Sequence, residues 1–471
     1  VLAVREFRAL YAAHVTSLLG DQAAKVALAI LVLNRSDSPL LAALAYAVGY
    51  LPWIVGGPVL SPLADRRPRR EVMVRCDVVR AVAVACMALP GVPLALLFAL
   101  LLGASLLMPP FEAARAATLP DVLSGDRYVV ASSLSNITTQ LGQVAGFVLG
   151  GAAVGVLTPR GALLADAGTF ALSAFFIAGG VKHREAASRQ SSPTLRDDIV
   201  EGARVVFRSP VLRSILLLAW LGAAFAIVPE GLAVTYARRL GHGALATGFL
   251  TAASPAGFAA GALFIGRFTG PATRMRLMRP LALASFVPLV LTALHPPVWG
   301  AVLLWALSGV GLAYQIPANA TFMLAVPTEA RGRAFGLAQT GIQALQGLSI
   351  AGAGALALAL EPHQVVAVAG VLGFVCVAAL GVAWPAAELA ALHAPPPLDD
   401  SLGDMTFGDV PLERDPQPLP ELGIPSVWRG PYALSPRRRV LTWRLVAMRD
   451  ESAVGSGVAA SPPGRPRAPR R

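Results

Sequence analysis

Two ionisable residues, Asp21 and Lys25, stand one helical turn apart inside an apolar run predicted to be helical over about 7–33. Asp21 is about 14 residues from the start of that run, roughly 21 Å at 1.5 Å per residue. A charge at that depth in hydrocarbon costs at least a few kcal/mol unless it is paired or faces water. Either the two neutralise each other as an i, i+4 pair with Lys25 reaching outward, or they form a proton or substrate site facing a central cavity. Glu230, after Pro229 and near the outer end of its own run, is a third candidate. Amides add to the pattern: Asn136, Gln140 and Gln143 fall on one helical face, and Gln339, Gln343 and Gln346 repeat the same spacing. Amides in lipid are costly unless satisfied, so both stripes should face the bundle interior, bonded across helices or lining an aqueous path. Gln315 and Asn319 add interior polarity, and Glu112 with Arg115 reads as a local salt bridge.

No phosphate-binding loop, paired catalytic carboxylates or nucleophile–base arrangement accompanies these residues, which argues against an enzyme and against ATP-driven work. The three cysteines, Cys76, Cys86 and Cys376, are isolated in apolar surroundings, so neither a disulfide framework nor a metal site is expected, and no cofactor is implied.

The elements that would position these groups follow from composition. The 471 residues are 55% hydrophobic and only 14% charged, against about 25% charged in soluble domains. The apolar residues come in runs of about 20, the length that crosses roughly 30 Å of hydrocarbon. Twelve spans are predicted, over about 7–33, 40–62, 71–90, 93–114, 130–157, 161–180, 211–236, 245–268, 277–295, 298–326, 334–360 and 364–385. One set of loops carries Arg66, Arg67, Arg69, Arg70, Arg115, Arg127, Lys182, Arg184, Arg189, Arg274, Arg276, Arg331 and Arg333; the other carries only Arg35, Arg160, Arg238 and Arg239. Basic loops mark the inner side, so both termini are expected in the cytoplasm. The net charge of +12 lacks the interleaved aromatics that single strands need, and nucleic acid is not expected as a partner. The chain opens without a cleavable signal pattern, and its first apolar run reads as a span.

Four regions are expected: a six-helix bundle over 1–180, a cytoplasmic linker over 181–210, a second bundle over 211–385 and a largely disordered cytoplasmic tail over 386–471. In the linker, Leu195, Ile199, Ala203, Val206 and Phe207 recur at helical spacing, which suits either an amphipathic surface helix or a solvated connection with one helical turn. In the tail, Pro395, Pro396 and Pro397 each lack the amide a helix needs. The halves repeat at a shift of 207 residues: Pro110 and Pro120 match Pro317 and Pro327, Gly125 matches Gly332, and Arg67 and Arg69 match Arg274 and Arg276.

The charged loop Ser61-Pro62-Leu63-Ala64-Asp65-Arg66-Arg67-Pro68-Arg69-Arg70 resembles the loop between helices 2 and 3 of the major facilitator superfamily. Leu63, Ala64, Asp65, Arg66, Arg69 and Arg70 match its pattern, while Ser61 and Pro68 replace the usual glycines. Ser17-Leu18-Leu19-Gly20-Asp21 and Asp166-Ala167-Gly168-Thr169-Phe170 resemble the macrolide-efflux and enterobactin-exporter branch. Gly142, Gly146, Gly150 and Gly151 resemble a glycine element of the superfamily's drug antiporters, with Phe147 in place of its proline; physically, small residues four apart let helices approach closely. Arg115 lies near the end of its helix, not at the middle, where proton-coupled drug antiporters carry an arginine.

The resemblance implies an all-α membrane protein with twelve transmembrane helices in two pseudo-symmetric six-helix bundles. It implies that Asp65, Arg66, Arg69 and Arg70 latch the halves in one access state. The implied activity is secondary active export of a small amphipathic molecule, a drug or siderophore, in exchange for protons or another coupling ion. Asp21 would be the proton or cation site of a monomer embedded in the lipid bilayer of the cell membrane. An importer of the same fold and a non-transporting scaffold or sensor are the alternatives.

Overall fold

A computed structural model describes residues 1–52, 67–184 and 195–381. The chain divides into two compact units, Val1–Ala394 and Pro395–Arg471, and every described residue belongs to the first. Asp65, Arg66, most of the 181–210 linker's middle and the tail beyond 381 lie outside the described residues.

The helices begin and end where local chemistry dictates. Helix α1 runs Arg5–Ser36 and stops at Asp37, which adopts the left-handed conformation (φ 51°) and bonds its amide to the Leu33 carbonyl. Ser38 then accepts the Leu41 amide at 3.4 Å and Pro39 sits at the first helical position, so α2 (Pro39–Ala47) starts immediately, continued by a tight turn over Val48–Tyr50. Helix α3 is Arg69–Ala88, and α4 (Leu94–Leu106) and α5 (Met108–Val122) run on through Leu107. Helix α6, Asp126–Gly180, is 55 residues long but breaks at Thr158 (φ 73°, ψ 162°). There Thr158 accepts the Gly161 amide and Pro159 follows, a helix start that leaves almost no loop between two arms.

After α7 (Leu195–Arg208) come α8 (Pro210–Ala226) and α9 (Val228–Arg239), joined through Ile227, then α10 (Ala244–Phe268). Helices α11 (Pro271–Ala284), α12 (Val287–Leu291), α13 (Val298–Gly311), α14 (Gln315–Ala325), α15 (Arg331–Leu356) and α16 (Pro362–Leu380) complete the bundle. Among the described residues there is no strand. The amphipathic segment of the linker is helical as α7, whose Glu201 bonds Arg333 of α15 at 2.6 Å.

Among the described residues, eight segments are long and apolar enough to cross a membrane: Arg5–Ser36, Leu94–Val122, Asp126–Gly180, Pro210–Arg239, Ala244–Phe268, Thr273–Leu294, Val298–Ala325 and Pro362–Leu380. Pro39–Tyr50 is apolar but shorter. Helices α3 and α15, of 20 and 26 residues, are long enough and fail on composition. Their polar residues include Asp77, Arg80, Gln343 and Gln346, so these two helices trade hydropathy for chemistry. Outward-facing side chains such as Phe175 (70% exposed), Leu263 (72%) and Val156 (83%) form a surface suited to lipid and unsuited to water.

Candidate functional site

Arg80 is the centre of the site. Its Nη2 donates to both carboxylate oxygens of Asp21, at 2.7 and 2.9 Å, tying α3 to α1. The guanidinium lies 4.0 Å from the ring centroid of Phe170, in the second arm of α6. Asp77, one turn before Arg80 and fully buried, accepts a 2.6 Å bond from Ser173 of the same arm, and its other oxygen is 4.0 Å from Arg80 Nη1. Asp166 completes the ring of acids, its Oδ1 bonded by Thr169 at 3.1 Å. Gly20 makes this closeness possible, because a Cβ there would fall 2.3 Å from Asp166 Oδ1. The two segments Ser17–Asp21 and Asp166–Phe170 therefore meet around one arginine.

Lys25 does not pair with Asp21. Its Nζ donates to Gln22 at 3.1 Å and lies 5.9 Å from the ring of Tyr46. Of the two readings of this pair, self-neutralisation within α1 is the one the structure does not show: Asp21 takes a guanidinium from α3 instead. Tyr46 in turn donates to Glu230 at 2.9 Å. Glu230 is 6% exposed, so the expectation of an interfacial carboxylate is also corrected; α9 continues to Arg239 and carries Glu230 inside the bundle.

Two cavities share this wall. One, of about 280 Å³, is lined by Asp21, Lys25, Arg80, Asp166 and Phe170 together with apolar Met87, Leu101 and Met108. The other, of about 380 Å³, is lined by Gln140, Gln143, Gln315, Gln343, Gln346 and Glu230. Tyr50, Gln143 and Gln343 belong to both. The amide stripes diverge from the cavity at one end: Asn136 and Gln339 are exposed, and Asn136 lines a separate pocket of about 200 Å³ beside Arg115 and Tyr11.

At the opposite end the structure is closed. Arg238 donates to the Leu33 carbonyl at 3.2 Å and pairs with Asp37. A Cβ on Gly151 would fall 2.5 Å from the Ala244 carbonyl, and one on Gly248 would fall 2.7 Å from that of Phe147, so α6 and α10 cross at their backbones. Gly142, Gly146 and Gly150 face Leu18, Gln22 and Ala23 of α1 at similarly short range.

Of the charged-loop residues, Arg69 donates to the Ala117 carbonyl at 2.7 Å and pairs with Asp121 of α5, and Arg70 bonds the Ala178 carbonyl. Glu112 and Arg115 pair locally at 2.7 Å. Arg80 and Asp77 escaped the sequence reading, although an arginine and an aspartate three apart within a 20-residue helix were a usable signal.

A bundle of membrane-crossing helices around a cavity with buried charges defines an integral membrane protein of carrier type. The Major Facilitator Superfamily family model matches residues 10–345, and the chain belongs to that family. The chain is 28% identical over 376 residues to the uncharacterized MFS-type transporter YfiS of Bacillus subtilis (strain 168), covering 74% of this chain and 86% of that protein. It is also 27% identical over 78 residues to macrolide efflux protein A of Streptococcus pyogenes, which is 17% of this chain and 19% of that protein. Among solved structures, a bacterial homolog of the human lysosomal transporter Spinster, in an inward-facing and unoccupied conformation, superposes with a TM-score of 0.64 at 14% identity, covering 83% of this chain and 99% of that one. A POT family transporter in complex with 5-aminolevulinic acid gives 0.63 at 14% identity, covering 81% and 96%. At these identities the likeness establishes the fold.

Proposed function

We propose that the protein is a secondary active transporter that exports a small amphipathic molecule, a drug or siderophore, by alternating access in exchange for protons. The observation that carries this reading is the Asp21 carboxylate on the wall of the central cavity, held there by Arg80. Around it stand Asp21, Asp77, Asp166 and Glu230 against Arg80 and Lys25, four acids to two cations among the described residues. Uncompensated charge inside a bilayer is costly. Two carboxylates are therefore left to be neutralised by protons or by a cationic group of the substrate. The apolar wall of one cavity and the amides of the other suit a molecule with an apolar body and several hydrogen-bonding groups.

The export direction draws support from the similarity to macrolide efflux protein A. We place twelve spans in two bundles, 1–180 and 211–385, in the cell membrane as a monomer with both termini cytoplasmic, following the basic loops. In that orientation the cavity opens inward, and Asp65, Arg66, Arg69 and Arg70 act together at the inner end to lock and release the halves.

Everted membrane vesicles with an imposed pH gradient and a panel of lipophilic compounds and siderophores test the proposal. Gradient-dependent accumulation of at least one compound is expected, reduced about tenfold or more in Asp21→Asn at equal abundance. Accumulation only in right-side-out vesicles would reverse the direction. No gradient-driven movement in either preparation would remove the transport reading.

A further inference from the structure

Arg80 makes its bonds to Asp21 through one nitrogen, and its Nε has no partner. Three residues earlier, Asp77 Oδ1 is buried and equally unpartnered, with its other oxygen fixed by Ser173. Unmet donors and acceptors of this kind are rare in folded proteins, because burial strips them of water without replacing the bond. The two orphans belong to groups only 4.0 Å apart at Nη1 and Oδ1. Between its two acids the guanidinium rests on Phe170, which restrains its position through the face of the ring and leaves the in-plane donors free to change partners. The acids differ in access: the Asp21 side chain is 19% exposed on the cavity wall, whereas Asp77 is 0% exposed.

We propose that Arg80 is a positioning residue with two alternative partners: it holds Asp21 while that carboxylate is charged, and passes to Asp77 when a proton from the cavity neutralises Asp21. The proposal rests on the reading of the site as proton-coupled. The mechanical consequence follows from which helices the partners occupy. The bond to Asp21 joins α1 to α3, while a bond to Asp77 lies within α3, so the exchange cuts the tie between the two helices. The proton binds an Asp21 oxygen and returns to the cavity on reversal; no other bond is made or broken. The surrounding charges are Lys25 on α1 itself, Asp166 on α6, Glu112 on α5 facing Asp77 and itself paired with Arg115, and Glu230 on α9 facing Lys25. Asp166 is the competing destination, already bonded by Thr169.

Infrared difference spectroscopy of the full chain in liposomes, with heavy-nitrogen-labelled arginine and stepwise acidification in the absence of substrate, tests the exchange. Acidification should produce a carboxylic acid band that Asp21→Asn removes. A guanidinium band absent from Arg80→Lys should shift at the same step, and that shift should be lost in Asp77→Asn and kept in Asp166→Asn. A guanidinium band that stays still while Asp21 protonates overturns the proposal, as does a shift that survives in Asp77→Asn. Should Asp77→Asn fail to insert, Ser173→Ala keeps the charge but frees the anchored oxygen. The midpoint of the guanidinium shift should then move, and an unchanged midpoint counts against the exchange. Because no substrate is present, gradient-driven efflux with a motionless guanidinium band would defeat this inference alone.

Discussion

Arg80 and Asp21 are joined through a single guanidinium nitrogen that reaches both carboxylate oxygens, so the pair ties α3 to α1 while leaving the donors on Nε and Nη1 for other partners. Removing the cation strands Asp21, Asp77 and Asp166 together. Arg80→Leu should therefore destabilise the protein by about 3–5 kcal/mol, the usual cost of breaking a buried pair. Asp21→Asn should cost less, because Asp77 remains to face the arginine. The double variant should unfold at a higher temperature than Arg80→Leu alone. Thermal unfolding of the purified variants measures the coupling, and purely additive losses would show that the residues act independently.

Helix packing makes a contrast between two glycines of α6. A Cβ on Gly150 would fall 2.6 Å from the Ala23 Cα and 2.9 Å from its carbonyl oxygen, backbone atoms that cannot rotate away. Gly150→Ala should cost about 1–3 kcal/mol by forcing α1 and α6 apart. Gly155, with open space around its Cβ position, should accept alanine with no loss and a gain of up to about 1 kcal/mol from helix propensity. Unfolding midpoints of the two variants decide it.

Tyr46 and Glu230 connect α2 to α9 across the bundle, near the closed end. Tyr46→Phe removes a side-chain donor to a carboxylate that is 6% exposed, at a cost of about 1–3 kcal/mol to the closed arrangement. Backbone amides around Asp37 and Leu240 should then exchange hydrogen faster, because the population open at that end rises. Unaltered exchange would show that this bond does not hold the end shut.

The two cavities meet at Gln143 and Gln343. Replacing either by leucine keeps most of the volume and deletes the hydrogen bonding. With a transported compound in hand, each change should raise KM about three- to tenfold, the equivalent of one net hydrogen bond. Asn136→Leu and Gln339→Leu, at exposed positions away from the central lining, should change KM less than about twofold. Equal effects at all four positions would place substrate along the whole length of both stripes.

The legible part of this architecture was what a single helix encodes. The length and apolarity of the runs, the depth of Asp21, the amide spacing on α6 and α15, and the glycine row on α6 all follow from periodicity along one element. The prolines and the Thr158-Pro159 pair likewise set helix starts through local backbone chemistry. Partner choice was not legible in this way. Lys25 stands in register with Asp21, yet the bond goes to Arg80, 59 positions away, because a bond between helices depends on crossing distance and rotation, and neither is a property of one segment.

The same division holds for the whole chain. Composition and run length alone decided that this is a helical, multi-pass membrane protein, since backbone groups in lipid must be bonded internally and runs of about 20 apolar residues fit a helix, not the shorter strands of a barrel. Tertiary structure alone decided that Asp21, Asp77, Asp166 and Phe170 surround one guanidinium, that Glu230 is buried against Tyr46, and that the amides of two distant helices share a cavity. The physical reason is that a buried charge takes whichever partner the packed helices bring within reach, and small residues such as Gly20 determine how near those helices come.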